Sequence, residues 1–462
     1  MNLTRNAIVH NLNKSNLSQL INIHKDNVGD LLCLLEACSS QSLKNVVNIT
    51  DFLFLTYHDN AKVRYQIVKL IGREKTTTYY NLLANIAQND KSSLVRREAV
   101  SSIGRMKDDK TIPFLVNMLK DTDPNIVCQA IRGLLVFKNN DYVIDELKKL
   151  INHENETIRL TIKKEFFSDN KHNPTNFNHI YIDDRLKNVT INGDVIEVLK
   201  YIPNDTIHLT FTSPPYYNAR DYSIYTSYEA YLEFLKTVFF ETLRVTKEGR
   251  FLIVNTSPVI VPRISRAHSS KRYPIPFDLN HILTEMGWDF IDDIIWLKPE
   301  YSVKNRVGGF QQHRKPLGYK PNAVTEYLMV YRKHTDKLLD WNIHQYPHET
   351  VNDSLVVGNF ETSNVWQICP KSDKVHSAIF PPELCQRIIK YYSYVGDLVF
   401  DPFGGSGTCG RVARSLNRFS LMTELNSDYF DYIKLLDKKE GEMFNQIENK
   451  YYTIKDFKKI ML

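Results

Sequence analysis

The chain has 462 residues, 42% hydrophobic and 24% charged, with a formal net charge of +6. That length implies several domains with real cores. No apolar run approaches the roughly 20 residues of a membrane helix, and the N-terminus lacks a basic-then-apolar leader, so a cytoplasmic protein without membrane association is expected. The six cysteines are scattered without a C-x-x-C pair, which argues against both a zinc site and a disulfide framework.

In chain order, residues 1–58 read as helical, with Leu31, Leu32, Leu34 and Leu35 in a capping unit. Residues 59–72, 90–104, 121–134 and 154–167 each have a polar start followed by an apolar helical face, and their equivalent residues Val63, Val95, Ile126 and Ile158 recur at spacings of 32, 31 and 32. Second helices are predicted over 78–88, 111–120 and 142–152, with Pro113 and Pro124 in first turns, where proline is tolerated. A fixed period of paired helices signals an all-α solenoid, and this one resembles HEAT-type repeats, with Val63-Arg64 and Val95-Arg96 in the Val-Arg position. Residues 1–170 hold 23 Lys and Arg against 19 Asp and Glu, so the array is nearly neutral and favours a protein partner over flanking DNA.

Residues 168–176 are polar and Asn-rich, and they break the helical pattern. The expected domains are therefore a helical repeat domain at 1–168, a linker at 169–188 and a second domain at 189–462. In the second domain strands alternate with helices such as 228–245, followed by a strand at 251–254. A largely parallel sheet covered on both faces follows, with ligands outside the carboxyl ends of its strands.

Two stretches there carry chemistry. The apolar run 207–211 leads into Thr212-Ser213-Pro214-Pro215-Tyr216. Two prolines fix φ and remove two donors, so the carbonyls of Ser213 and Pro214 stay rigid and free to accept hydrogen bonds, for which an exocyclic amino group is suited. Near the other end, a buried strand at 397–400 runs into Asp401-Pro402-Phe403-Gly404-Gly405-Ser406-Gly407-Thr408. Glycines at such a turn let backbone N–H groups approach a ligand and feed a helix N-terminus. Gly405, Gly407 and Gly410 also satisfy G-x-G-x-x-G, so a dinucleotide and S-adenosylmethionine (SAM) both fit this pattern. In either case Glu424, at the end of strand 420–423, suits ribose hydroxyls. Cys409 has no His and Asp arrangement beside it and reads as a packing residue.

The first stretch resembles the catalytic loop of amino-group DNA methyltransferases, whose pattern is Asn, Asp or Ser, then Pro-Pro, then an aromatic residue. The Asp-Pro-Phe lead-in of the second resembles their SAM loop and is unusual before a dinucleotide fingerprint. Catalytic loop first and cofactor loop second is the circularly permuted order of the β class, and the resemblance covers residues 190–435. Weaker matches lie at Asn192-Gly193-Asp194, at 294–299, at 325–331 and at 376–382. The resemblance implies a Rossmann-like α/β fold with a mostly parallel seven-stranded sheet. It implies catalysis by Ser213, Pro214, Pro215 and Tyr216, and SAM held by Asp194, Thr212, His376, Pro381, Asp401, Phe403, Gly404, Gly405, Ser406, Gly407, Thr408 and Glu424, with no metal.

The implied function is methylation of an exocyclic amine on a base flipped out of double-stranded DNA, within a restriction-modification system. Ser ahead of Pro-Pro-Tyr leans toward cytosine N4, as in family members with the same tetrapeptide, with adenine N6 as the alternative. Carbon-5 methylation requires a Pro-Cys nucleophile, and no cysteine here follows a proline. Basic residues interleaved with aromatics suit a phosphate backbone and unstacked bases. They comprise Arg263, Arg266, Lys271 and Arg272, then Lys298, Lys304, Arg306, Arg314, Lys315 and Lys320 among Tyr301, Phe310 and Tyr319. Sequence reading is expected from an insertion at 300–365, where Arg306, Gln311, Gln312, His313 and Arg314 lie. A helical-repeat binding protein with an inactive methyltransferase domain, and a methyltransferase acting on RNA or protein, are the competing classes. The repeats would dock a restriction endonuclease or another subunit.

Overall fold

Asn60, Asp123 and Asn155 each accept a hydrogen bond from a backbone N–H in the first turn of the helix that follows, and three helices of one solenoid start there. In a computed structural model of the chain, the described residues are 27–38, 49–167, 179–217, 225–261, 265, 267–268, 270–303, 316–317, 321–358, 361–371, 380–444 and 449–462. The chain divides into two units, residues 1–174 and 175–462.

The first unit is helical throughout its described residues, with Ala61–Ile71, Ser93–Gly104, Pro124–Leu134 and Glu156–Phe166 as the first helices of successive repeats. Val63, Val95, Ile126 and Ile158 are all fully buried in one core, together with Leu83 and Leu115 of the second helices. A Cβ added to Gly104 would lie 2.9 Å from the Cα of Gly133, so two first helices cross in backbone contact that any side chain would pry apart. Arg64 forks onto Asp90 through two 2.8 Å bonds and donates to the carbonyls of His58 and Asp59, while Arg159 donates in the same way to His153 and Glu154. These arginines tie each helix start to the turn before it. The expected helix at 142–152 is shorter: an α-helix at Asp141–Lys148 tightens into a 3-10 turn at Lys149–Asn152.

In the second unit the strands are β1 (Val189–Asn192), β2 (Ile207–Thr212), β3 (Thr246–Thr256), β4 (Val259–Val261), β5 (Lys271–Tyr273), β6 (Trp288–Leu297), β7 (Thr325–Lys333), β8 (Val365–Gln367), β9 (Leu398–Asp401), β10 (Phe419–Glu424) and β11 (Lys450–Thr453). Nine of them form one sheet in the order β11-β1-β10-β9-β2-β3-β7-β6-β8, while β4 and β5 make a separate hairpin. Only β7 runs against its neighbours β3 and β6; the other pairings in this sheet are parallel. Seven strands were expected, and the short β8 and β11 extend the sheet at its two edges. β2 is buried at every position because helices cover both faces of the sheet.

β7 also corrects the expected insertion at 300–365. Leu328, Val330 and Tyr331 of this strand are fully buried, so residues 325–333 belong to the sheet core. Beyond this strand, Asn342 and Tyr346 are buried against β3 and the start of β9 as well. No helix among the described residues is long and apolar enough to cross a membrane.

A buried polar knot lies at the amino ends of β2, β3 and β9. Arg250 pairs with Asp397, Tyr346 donates to the same carboxylate at 2.6 Å, and the Tyr394 N–H donates to it at 2.8 Å. Arg250 also donates to the His208 carbonyl at 3.1 Å. His208 Nδ1 accepts from the Leu398 N–H at 3.2 Å, and its Nε2 contacts the His179 carbonyl at 3.0 Å. Burial first, then the nearby Arg250 and Lys247, hold His179 down to about 4. Burial is also the main cause that lowers His208 to about 3, so both rings stay neutral at physiological pH.

Candidate active site

β2 and β9 are adjacent and parallel, with Leu209 opposite Val399 and Thr210 opposite Phe400, so the loops that follow them leave the sheet side by side. Thr212 Oγ1 donates to Asp401 Oδ1 at 2.7 Å, and the Phe403 N–H donates to the same oxygen at 3.1 Å. This pair joins the base of the proline loop to the base of the glycine loop. Asp401 is only 2% exposed. Burial, with the Glu424 charge adding to it, pushes its carboxyl up to about 7 against the pull of its two hydrogen bonds.

The glycine loop turns through left-handed conformations at Gly405 (φ +54°) and Gly407 (φ +75°), where a side chain would be strained. A Cβ on Gly404 would come within 3.1 Å of the Thr423 carbonyl, and one on Gly410 within 2.5 Å of Met422 Sδ. The first keeps the loop pressed on β10, and the second lets the helix Thr408–Ser415 lie against it. Ser406 and Thr408 share a hydroxyl contact of 3.1 Å, and Cys409 is buried with its Sγ on the Phe211 carbonyl, a packing residue whose thiol burial pushes well up. Glu424 accepts from the Gly405 N–H at 2.7 Å and the Asn426 N–H at 2.8 Å, and burial raises its carboxyl. Asp194 caps the helix Val195–Leu199, with its Oδ1 accepting from Ile196 and Glu197. The preceding Gly193 N–H donates to the Glu424 carbonyl at 3.0 Å, which sets the two acids at the ends of neighbouring strands. A glycine turn pressed onto β10, with the Gly405 N–H on Glu424 and Asp194 nearby at the end of β1, fits a nucleoside bearing hydroxyls and an amine.

On the other side, Tyr216 Oη donates to Glu326 Oε2 at 3.0 Å, and Glu326 is ion-paired with Lys298. The Tyr216 hydroxyl also meets the Ser213 and Ser257 side chains; burial, then the Glu326 charge, push it well above an ordinary phenol. Phe380 stacks on Phe211 of β2 at 4.6 Å, and Pro381 follows it, buried, at the start of the helix Pro382–Tyr392. Thus the structure gathers Asp194, Thr212, Ser213, Pro214, Pro215, Tyr216, Pro381, Asp401, Phe403, Gly404, Gly405, Ser406, Gly407, Thr408 and Glu424 about the carboxyl edge of one sheet. His376, Arg263, Arg266, Lys304, Arg306, Phe310, Gln311, Gln312, His313, Arg314, Lys315, Tyr319 and Lys320 lie outside the described residues, while Lys271 and Arg272 stand exposed on β5. Sequence reasoning missed Ser257, Phe380 and the role of Glu326. Its signal was an acid flanked by strand formers in 325–331, and no local pattern ties such an acid to a tyrosine 110 residues away.

A mostly parallel sheet whose glycine turn and proline-stiffened loop leave adjacent strands side by side places a ligand crevice at that edge, the arrangement of nucleotide-cofactor-binding α/β proteins. Residues 207–435 match the DNA methylase family of N6- and N4-amino methyltransferases, and residues 52–134 match HEAT repeats. The Type II methyltransferase M.Cfr9I of Citrobacter freundii is 30% identical over 288 residues, covering 55% of this chain and 88% of that protein. The Type II beta methyltransferase M.BslI of Bacillus sp. (strain NEB-606) is 24% identical over 357 residues; that match takes in 74% of this chain, which spans 36% of the relative's length. Among solved structures, a DNA modification methylase of Thermus thermophilus complexed with SAM is 25% identical with a TM-score of 0.42, over 57% of this chain and 97% of that one. The cytosine-N4-specific PvuII DNA methyltransferase is 19% identical with a TM-score of 0.41, over 58% of this chain and 95% of that one. The chain belongs to the N6/N4 DNA methylase family, whose members are SAM-dependent DNA methyltransferases.

Proposed function

We propose that the chain methylates the exocyclic N4 amine of cytosine in a flipped base of double-stranded DNA, as the modification half of a cytoplasmic restriction-modification system. The observation that carries this is the Thr212–Asp401 hydrogen bond of 2.7 Å, which holds the proline loop and the glycine loop at one edge. Bound SAM supplies an electrophilic methyl group. The glycine loop, with Phe403, Ser406 and Thr408, cradles it; Glu424 takes its hydroxyls, Asp194 its adenine amine, and Pro381 and His376 line its methionine end.

The amine of a base is a poor nucleophile because its lone pair is delocalised into the ring. Ser213 Oγ and the Pro214 carbonyl accept hydrogen bonds from its two N–H groups, which draws the nitrogen toward tetrahedral geometry and frees the lone pair; the methylated nitrogen then loses one proton to water. Acceptors fixed beforehand also stabilise the positive charge that grows on nitrogen. Pro215 keeps that carbonyl pointed outward by stiffening the chain behind it. Tyr216 covers the base, which must leave the duplex to reach the methyl. Residues 1–168 dock a protein partner; the linker expected at 169–188 ends before His179, which with Ile182 and Leu186 is buried in the second unit; 189–462 carry the chemistry, and the β6–β7 connection within 300–365 reads sequence.

Incubation with SAM and unmethylated DNA, followed by nucleoside mass spectrometry, tests the reading. N4-methylcytosine is expected. N6-methyladenine replaces the cytosine assignment with the adenine one, and no methylated nucleoside with SAM bound supports a binding protein or a different substrate class.

The raised Asp401 carboxyl gives a pH prediction on the same reading. It is largely protonated below about 7, and a bound cationic sulfonium favours its ionised form. SAM affinity therefore increases as pH rises from 5.5 to 7.5, by at most about tenfold per pH unit, and levels off above. Calorimetric titration should show this, and Asp401→Asn should flatten it; a pH-independent wild-type Kd removes Asp401 from the cofactor's surroundings.

A further inference from the structure

The proline loop leaves one freedom in place. Two prolines stiffen the backbone before Tyr216, but the side-chain torsions of the tyrosine itself stay soft. In the structure they are pinned from two strands away: the hydroxyl donates to Glu326 of β7 at 3.0 Å, across the end of β3, where Ser257 meets the same hydroxyl. Glu326 lies opposite Trp296 of β6, and its partner Lys298 sits over the Trp296 ring at 4.6 Å. The ion-paired side chains are only 16% and 13% exposed, so each charge depends on the other for its compensation. If Tyr216 served only as an apolar wall, phenylalanine would suffice, and a nearly buried carboxylate beneath it would be a liability.

We propose that Glu326, charge-compensated by Lys298, is a positioning residue that sets the angle of the Tyr216 ring over the target base, acting through the tyrosine hydroxyl and never touching the base. This rests on the methyl-transfer reading above. Small misplacements of a group at the reacting centre cost far more in turnover than in ground-state binding. The pair is therefore expected to appear in kcat and to leave SAM binding alone.

The test compares wild type, Tyr216→Phe, Glu326→Gln and the double variant, measuring kcat on phage λ DNA from a methylation-deficient host and the SAM Kd by calorimetry. Each single change is expected to lower kcat about tenfold, the double variant no further than either single, and every SAM Kd to stay within about twofold of wild type. Single effects that multiply in the double variant, or a Glu326→Gln protein with wild-type kcat, overturn the proposal. Should Glu326→Gln fail to fold, Tyr216→Phe leaves the ion pair intact and decides alone, since unchanged kcat there also overturns it. A wild-type chain that binds SAM yet methylates no DNA overturns the parent reading instead, whereas an active wild type with an unaffected Tyr216→Phe overturns only this inference.

Discussion

Ser213→Ala lowers kcat by about 10²- to 10³-fold while the SAM Kd stays within about twofold, the range found for loss of one fixed hydrogen-bonding group at a developing charge. Ser213 is the residue after β2, held by two constraints: the strand and its Thr212–Asp401 brace behind it, and the prolines ahead. Alanine preserves that backbone and removes the hydroxyl, both as an acceptor for the base and as a contact of Tyr216. The cofactor cradle is built on β9 and β10, whose glycine-loop bonds to Thr423 and Glu424 do not involve Ser213, so the methyl donor should be held as before. Ser213→Asn keeps an acceptor of similar reach and should recover most of the lost turnover. Single-turnover methylation with labelled SAM reads these outcomes. Unchanged kcat in the alanine variant, or a loss confined to SAM binding, would remove Ser213 from the chemistry.

Arg250→Met destabilises the second unit by about 3–5 kcal/mol, the cost of leaving one partner of a buried ion pair uncompensated. Arg250 is 3% exposed and Asp397 1%, and the carboxylate would keep only the Tyr346 hydroxyl, the Tyr394 N–H and a neutral His208 beside it. Pairing Arg250→Met with Asp397→Asn should recover a large part of the loss, because no buried charge then remains unpaired. All four tryptophans (Trp288, Trp296, Trp341 and Trp366) belong to the second unit, so denaturation followed by tryptophan fluorescence reports that unit without the solenoid. A midpoint shift worth under about 1 kcal/mol would mean that the knot is hydrated or relaxes around the change.

The solenoid was legible because each repeat packs only on its neighbours, so the burial of Val63, Val95, Ile126 and Ile158 is written as a period near 32. The two loops were legible for a different reason. Their demands fall on backbone geometry, which only proline at 214 and 215 and glycine at 405 and 407 meet, so residue type alone exposes them. The stretch 325–331 resembled a strand of the family, yet nothing local says that β7 lies between β3 and β6, which is why the 300–365 range ran across part of the core. Asp401 reads as a ligand group in its motif, and its carboxylate also accepts from the Thr212 hydroxyl and the Phe403 N–H, a brace that no local pattern announces.

By itself the sequence determined the two kinds of architecture, the family resemblance and the chemical character of both loops, because each depends on residues close in the chain. Only the tertiary structure decided which distant groups serve them: Asp401 beneath Thr212 at a separation of 189 residues, Asp397 against Arg250 at 147 and Glu326 on Tyr216 at 110. Such pairs follow from strand order in a sheet whose parallel neighbours are joined by long crossovers. Contacts closed over that length leave no periodic trace in the residues between them.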